Sequence, residues 1–298
     1  MKKIKVSTLA VTIALATWSM PASAVPISWN AGTADWFMAG NWTPMQVPTN
    51  LDDASVNNAG TANANGSVQV NELNIGRVTS AASATGTVNV TSGNLTGNGA
   101  GSLHVGLTDN QAPGILAGDA NGTLSVDGNV SGFGIANVGG SGFGSTGNAT
   151  GDLSITGSLQ DTSLSVGSSA GSADAIGTAV IGTGISNANF VTVGNSGSSG
   201  NTATASGTGE LTVLAGGIQG NNLGMGFDLS IGRTSGPGSA MGTATVTGNI
   251  SDFGTVRIGN VRTSLAGGGS GPATGVLNIQ SGNLTGNGAG SLHVGLTD

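Results

Sequence analysis

From about residue 67 onward, apolar and polar side chains alternate in short bursts separated by glycine. One kind of burst reads apolar-x-apolar at Val88/Val90, Leu124/Val126, Leu153/Ile155, Ala179/Ile181, Leu211/Val213, Ala244/Val246 and Leu277/Ile279. A second kind ends in glycine and occurs at Leu73/Ile75, Leu103/Val105, Ala136/Val138, Leu164/Val166, Val191/Val193, Leu229/Ile231, Val256/Ile258 and Leu292/Val294. A period of two marks a strand with one buried face. The intervening residues are Asn89, Ser125, Ser154, Val180, Thr212, Thr245 and Asn278 in the first ladder. In the second they are His104, Asn137, Ser165, Thr192, Ser230, Arg257 and His293. Thirteen of these fourteen are polar, so both sets are expected to face solvent.

The bursts belong to a repeat. Residues 84–109 recur as 273–298, with 22 of 26 positions identical and the last eighteen unchanged. Val88 to Leu277 and Val90 to Ile279 are among the differences, and both keep apolar bulk. Six units fill the offset of 189 residues, a mean period of about 31. A unit of two or three short strands cannot bury its apolar face alone, whereas stacked units can. Coiling them places equivalent strands about 4.8 Å apart and lines an interior with aliphatic rows. The pattern therefore predicts an all-β fold, a right-handed parallel β-helix of seven or eight turns, roughly 35–40 Å long. Corner loops are expected at 107–122, 139–151, 195–209 and 265–274. Two competing readings keep the register less well. A flexible glycine-serine linker needs no inward and outward faces, and a β-sandwich of hairpins needs no unit this long.

Two segments precede the repeats. Lys2, Lys3 and Lys5, the apolar run Val6 to Trp18 and the small residues Ala22-Ser23-Ala24 predict a signal peptide over 1–24. Its apolar run is too short to span a bilayer. Residues 25–66 hold Trp29, Trp36 and Trp42, followed by Pro44, Pro48 and Asp52-Asp53. Large aromatics there suit a cap over the open end of the first coil, or else a sugar-binding platform. Adjacent aspartates in a strand point to opposite faces, so Asp52 and Asp53 are expected in a turn rather than as an acid/base pair.

Composition narrows the chemistry. The chain has no cysteine, which removes zinc ribbons, disulfide scaffolds and thiol nucleophiles, and its 56 glycines lack the every-third spacing of collagen. Loss of residues 1–24 removes every lysine and leaves four arginines against fourteen acids, a formal charge of −10. Such a surface repels phosphate backbones and anionic membranes, so neither nucleic acid binding nor membrane insertion is expected. Export into an oxidising compartment without disulfides suits a Gram-negative bacterium.

The stretch WNAGTADWFMAGNWTPMQVPTNLDDASVNNAG, with units such as GTLSVDG and ANVGG behind it, resembles the β-helical passenger regions of bacterial autotransporter-like proteins. It is also similar to exported proteins that carry PEP-CTERM sorting tails. The resemblance spans nearly all of 25–298 and implies a right-handed β-helix displayed at the cell surface for adhesion or aggregation. It carries no catalytic residues across. The sequence shows neither a translocator barrel nor a sorting tail, and it stops inside a unit at Asp298, the equivalent of Asp109. Further coils, and a C-terminal anchor or translocator domain, are expected downstream.

Candidate reactive groups are few. His104 and His293 hold the same unit position, about 29 Å apart over six coils, so one metal cannot bind both. Flanked by inward-pointing residues, both rings are expected to face solvent. The aspartates at 109, 119, 127, 152, 161, 174, 228 and 252 are scattered, and no two are expected to share a unit position. Arg233, Arg257 and Arg262 lie in neighbouring units and form either one basic spot or solvated corners. Gly139 to Gly144 lacks the aspartate of a calcium-binding nonapeptide and the lysine of a phosphate loop. Thr202/Thr204 and Thr243/Thr245/Thr247 hint at an ice-binding face, but the outward ladder mixes residue types. The sequence thus predicts an exported structural or adhesion-type stalk that is not an enzyme. It names no catalytic, cofactor-binding or metal-binding residue and no cofactor, and takes surface glycans or other cells as partners. The alternatives are a β-helical polysaccharide lyase or hydrolase, which needs clustered acids or calcium, and an ice-binding solenoid.

Overall fold

The computed structural model describes residues 24–109, 117–197, 205–221, 228–262 and 271–297. The expected signal peptide therefore lies, but for Ala24, outside the described residues, as do Thr202, Thr204 and parts of three corner loops. The chain is a parallel β-solenoid of about eight turns. One sheet of nine parallel strands runs from Thr33–Asp35 to Ala273–Ser281 and forms the first face of every coil. Its register pairs Val88 with Leu124, Leu124 with Leu153, Leu153 with Ala179, Ala179 with Leu211, Leu211 with Ala244 and Ala244 with Leu277. That is the order in which the first apolar ladder was read. Strand Ala120–Val126 alternates buried and exposed without a break. Partner offsets run from 26 residues (Ala149 to Ala175) to 36 (Ala84 to Ala120), so coil length varies while the inward apolar pairs stay in register.

The other faces belong to a second sheet of seventeen strands. Strands such as Leu103–Thr108, Ile135–Ser141 and Ser163–Ser169 make the third face and carry the second apolar ladder. Between them lies a row of mostly short strands that the alternation pattern does not mark; their register aligns one apolar column, Val68, Leu95, Val130, Leu159, Ile185, Ile218 and Ile250, with Ala188 a second inward residue on Gly184–Ala188. The last two coils, Ile250–Ile258 and Leu284–Val294, carry both faces in one uninterrupted strand, which joins the two rows into one sheet. All three rows point into one apolar core from Ile27 and Trp29 to Phe253 and Val256.

First-face strands are longer than the apolar pairs suggested. From Ala84–Ser92 onward each opens with Ala-x-Gly or Gly-x-Gly, as in Ala120-Asn121-Gly122 and Ala149-Thr150-Gly151, ahead of the apolar pair. The glycine is demanded by close approach. A Cβ on Gly151 would sit 2.2 Å from Gly139 N and 2.2 Å from Val105 O. Here the backbones of the first and third faces touch, and only hydrogen fits between them. On the third-face side the chain bends at glycines such as Gly106, whose φ of 64° is strained for any residue with a side chain. Beyond the bend the strand continues, with Leu107 and Thr108 paired to Gly140 and Ser141. The predicted loops 107–122 and 139–151 are therefore shorter than expected.

The pinch divides each coil. Outside the aliphatic core it encloses a narrow strip holding Val78, Ala84, Ala120 and Ala149. Thr108, Ser141, Ser169, Ser196 and Thr234, all buried, stack along that strip in successive coils. Three of these hydroxyls satisfy loop carbonyls: Ser169 Oγ donates to Ala173 O at 3.0 Å, Ser196 Oγ to Ala205 O at 2.9 Å and Thr234 Oγ1 to Gly238 O at 2.9 Å. Buried carbonyls need such partners.

Side chains also tie coil to coil at the corners. Asn94 Oδ1 accepts from Asn129 N, Asn129 Oδ1 from Ser158 N (2.9 Å each), and Asn249 Oδ1 from Asn283 N at 3.0 Å. At the corner before the first face, Asp119 Oδ1 accepts from Asn148 N at 2.9 Å and Asp174 Oδ1 from Ser206 N at 2.8 Å. Asp119 and Asp174 thus share a unit position, contrary to the expectation of scattered acids. They stand two coils apart with Asn148 between them, since each binds the backbone of the coil above. At the N-terminal end, Trp29 and Trp36 meet Trp42 edge-on, with ring centroids 4.8 and 4.7 Å away. Trp42 Nε1 donates to Trp36 O at 2.8 Å, and all three rings are buried.

Candidate functional site

Fourteen intervening positions were expected to be wet. On the first face that holds: Ser125, Ser154 and Asn278 are exposed, and Asn89, Val180, Thr212 and Thr245 are half-buried. On the third face it fails at three of seven: His104, Ser165 and Ser230 are buried, while Asn137, Thr192, Arg257 and His293 are half-buried; Asn74, one coil before His104, is buried as well. The bend at the positive-φ glycine is the cause. It swings the following residues back over the outer surface of the strand, so the two limbs form the floor and wall of a trough. Contacts three residues apart show this: Ser165 Oγ donates to Ser168 Oγ at 2.8 Å, and Arg77 Nη1 donates to Asn74 Oδ1 at 2.7 Å across Gly76.

The floor of the trough is continuous. Asn74, His104, Asn137, Ser165, Thr192, Ser230, Arg257 and His293 are successive register partners. Near one end, Arg77 is held by two carboxylates, Glu72 Oε1 at 2.6 Å and Asp109 Oδ2 at 2.8 Å. Charge-assisted bonds of this kind fix the guanidinium plane. His104 sits beside this cluster with Nδ1 3.1 Å from Asn137 Nδ2. The amide donates to the ring, which places the ring proton on Nε2. Burial, followed by the Arg77 charge and against the opposing pull of Asp109, lowers the His104 pKa to about 3. His104 is therefore a neutral, buried hydrogen-bonding group and not the surface imidazole that its sequence position suggested. His293, its twin, stays half-buried beside Ser291 Oγ at 2.9 Å.

The remaining sequence candidates disperse. Arg257 Nη1 binds Asp228 Oδ2 at 2.7 Å, Arg233 follows the bend at Gly232, and Arg262 lies exposed beyond the Val261 bridge. Asp52 is buried and accepts from Thr49 N and Thr49 Oγ1 at 2.9 and 2.7 Å, a turn role; Asp53 opens a strand and accepts from Asn71 Nδ2 at 2.6 Å. Gly139 and Gly140 belong to a strand. Thr245 stacks between Thr212 and Asn278, a mixed column. On the second face, a polar cleft of about 290 Å³ is lined by Ser158, Gln160, Thr183, Ser186 and Gln219. Next to it, Asp161 accepts a hydrogen bond from Asn187.

This arrangement offers an extended row of amides, hydroxyls and compensated charges. Among the described residues no three His, Cys, Asp or Glu side chains converge on one point, and no helix is long and apolar enough to cross a membrane. The trough was missed because alternation alone says which side of a strand is dry, not what folds over the other side. One signal was present: a hydroxyl residue recurs two positions after the bend glycine, at Thr108, Ser141, Ser169, Ser196 and Thr234. No protein-family model, curated protein or solved structure matches this chain.

Proposed function

We propose that the protein is an exported, surface-displayed rod that acts by holding and presenting weak binding surfaces, without turnover. The observation that carries this reading is the single apolar core threading every coil from Ile27 to Val256. Each coil is hydrogen-bonded to the next along three faces and again through its corner side chains. Bending such a body breaks many contacts at once, so it resists deformation along its length. Its coils are right-handed, following the near-universal sense of parallel crossovers. The buried tryptophan trio serves as the N-terminal cap, and residues 1–24 direct export. The trough and the outward first face present small polar groups to glycans or to other cells, as the likeness to autotransporter passengers implies. The net negative charge after loss of residues 1–24 disfavours nucleic acid.

The test applies purified protein to a glycan array and to bacterial cells, with release of reducing or unsaturated ends from acidic glycans followed in parallel. Saturable binding with no released ends is the expected result. Release of ends would replace this reading with a polysaccharide-active enzyme.

A further inference from the structure

The side-chain ladder at the corner before the second face has a gap. Its rungs are the residues just ahead of the inward apolar column. Ser67, Asn94, Asn129 and Ser158 come first and Asn249 and Asn283 last, with Gly184 and Gly217 between them. Ser67 Oγ accepts from Asn94 N at 3.1 Å, and Asn94, Asn129 and Asn249 hold the following coil in the same way. At Gly184 and Gly217 no side chain can do so. The backbone there takes φ of 123° and 79°, where a residue with a side chain is strained.

The polar cleft of about 290 Å³ opens at this gap. It spans three coils, with Ser158 and Gln160 on one, Thr183 and Ser186 on the next and Gly216 and Gln219 on the third. Two coil steps of about 4.8 Å make it roughly 10 Å long along the rod. Gln160 Nε2 donates to Ser158 Oγ at 2.6 Å, and Gln219 Nε2 to Asp252 Oδ2 at 3.2 Å. Their amide oxygens, and the hydroxyls of Thr183 and Ser186, make no hydrogen bond to the protein among the described residues. No lining residue is charged. The charges on its border, Asp161 beside Gln160 and Asp252 bonded to Gln219, are both acids.

These features select a ligand. The volume stands at the small end of ligand sites, near about 300 Å³. A polar lining with free hydroxyls and amide oxygens at one-coil intervals suits a chain of hydroxyl-bearing rings, and the acidic border repels anionic sugars. We propose that this cleft binds an uncharged oligosaccharide of two or three sugar units, laid along the rod axis, whose hydroxyls take the place of the two absent rungs. The inference rests on the reading of the rod as a glycan binder and adds to it a defined site and a sugar class.

The test titrates purified protein with cellotriose, maltotriose and triacetylchitotriose, and with trigalacturonate as the acidic probe, followed by saturation-transfer NMR. Saturable binding of a neutral probe is expected, at least tenfold tighter than that of trigalacturonate. Thr183 is exposed and Ser186 half-buried on the outside of the coil, so Thr183→Trp and Ser186→Phe fill the cleft without entering the core. Each should weaken binding at least tenfold. Gln69→Phe, three coils before Gln160 in the same outward column, should leave it unchanged. Circular dichroism and urea midpoints check that each variant is folded. Binding of no neutral probe, tighter binding of trigalacturonate, or unchanged binding by both filled variants would overturn the proposal. In the last case the protein still binds sugar, so the rod's glycan role stands and only the site is lost. Where no neutral probe binds, the glycan array and the cells decide that role separately.

Discussion

Burial of His104 makes an acid-sensitive point in an otherwise charge-poor wall. Its imidazole has a pKa lowered to about 3 in the folded chain, against 6.5 when exposed. Protons therefore bind the unfolded state preferentially between these values, and stability falls as pH drops below about 6.5. Above 6.5 the ring is neutral in both states and contributes no slope. At pH 5.0 the loss from this one residue amounts to about 2 kcal/mol, from roughly 1.4 kcal/mol per pH unit over 1.5 units. Asn74 and Asn137 are its register partners, so His104→Asn places an amide where two others already pack. Urea unfolding of wild type and His104→Asn at pH 7.5 and 5.0 isolates the effect, because the two chains differ in this one ionisable group. Wild type should lose about 2 kcal/mol more than the variant on acidification. Equal losses would refute the reasoning, and would mean that the ring is already solvated or protonated in the folded chain.

Three further outcomes test the architecture. Gly151→Ala forces a methyl against Gly139 N and Val105 O and should cost about 3 kcal/mol by urea midpoint, whereas Gly40→Ala, with open space around it, should change little. Leu124→Ala removes a side chain buried in the main core, so a loss of about 3 kcal/mol is expected in the same assay. Trp42→Ala removes both edge-on contacts and the bond to Trp36 O, and should cost about 3–5 kcal/mol. Tryptophan fluorescence should report the change, with Trp29 and Trp36 shifted to the red as they become wet.

Much of the solenoid can be read before any coordinates are seen. Leu124, Leu153 and Leu211 stack as their spacing says they must, because alternation is a local property of an extended chain and burial on one side follows from it. The repeat supplies the rest of that inference: units that share a pattern and cannot fold singly must share a core. Unit length posed no obstacle, since insertions of up to ten residues between coils leave the inward registers unchanged.

Other features were decided in three dimensions. The short second-face row, with many of its strands only two or three residues long, is too brief to show a period. The seam at Gly122 and Gly151 depends on two backbones, distant in sequence, touching at one line, and nothing in a single strand reports that approach. His104 and His293 make the difference plain. They sit in eighteen identical residues, yet one is sealed beneath the bend with Arg77 and Asn137 beside it and the other is half open at the last coil. Sequence sets which side of a strand each residue takes; the coils stacked above and below, and the limb folded across, determine how much water reaches it.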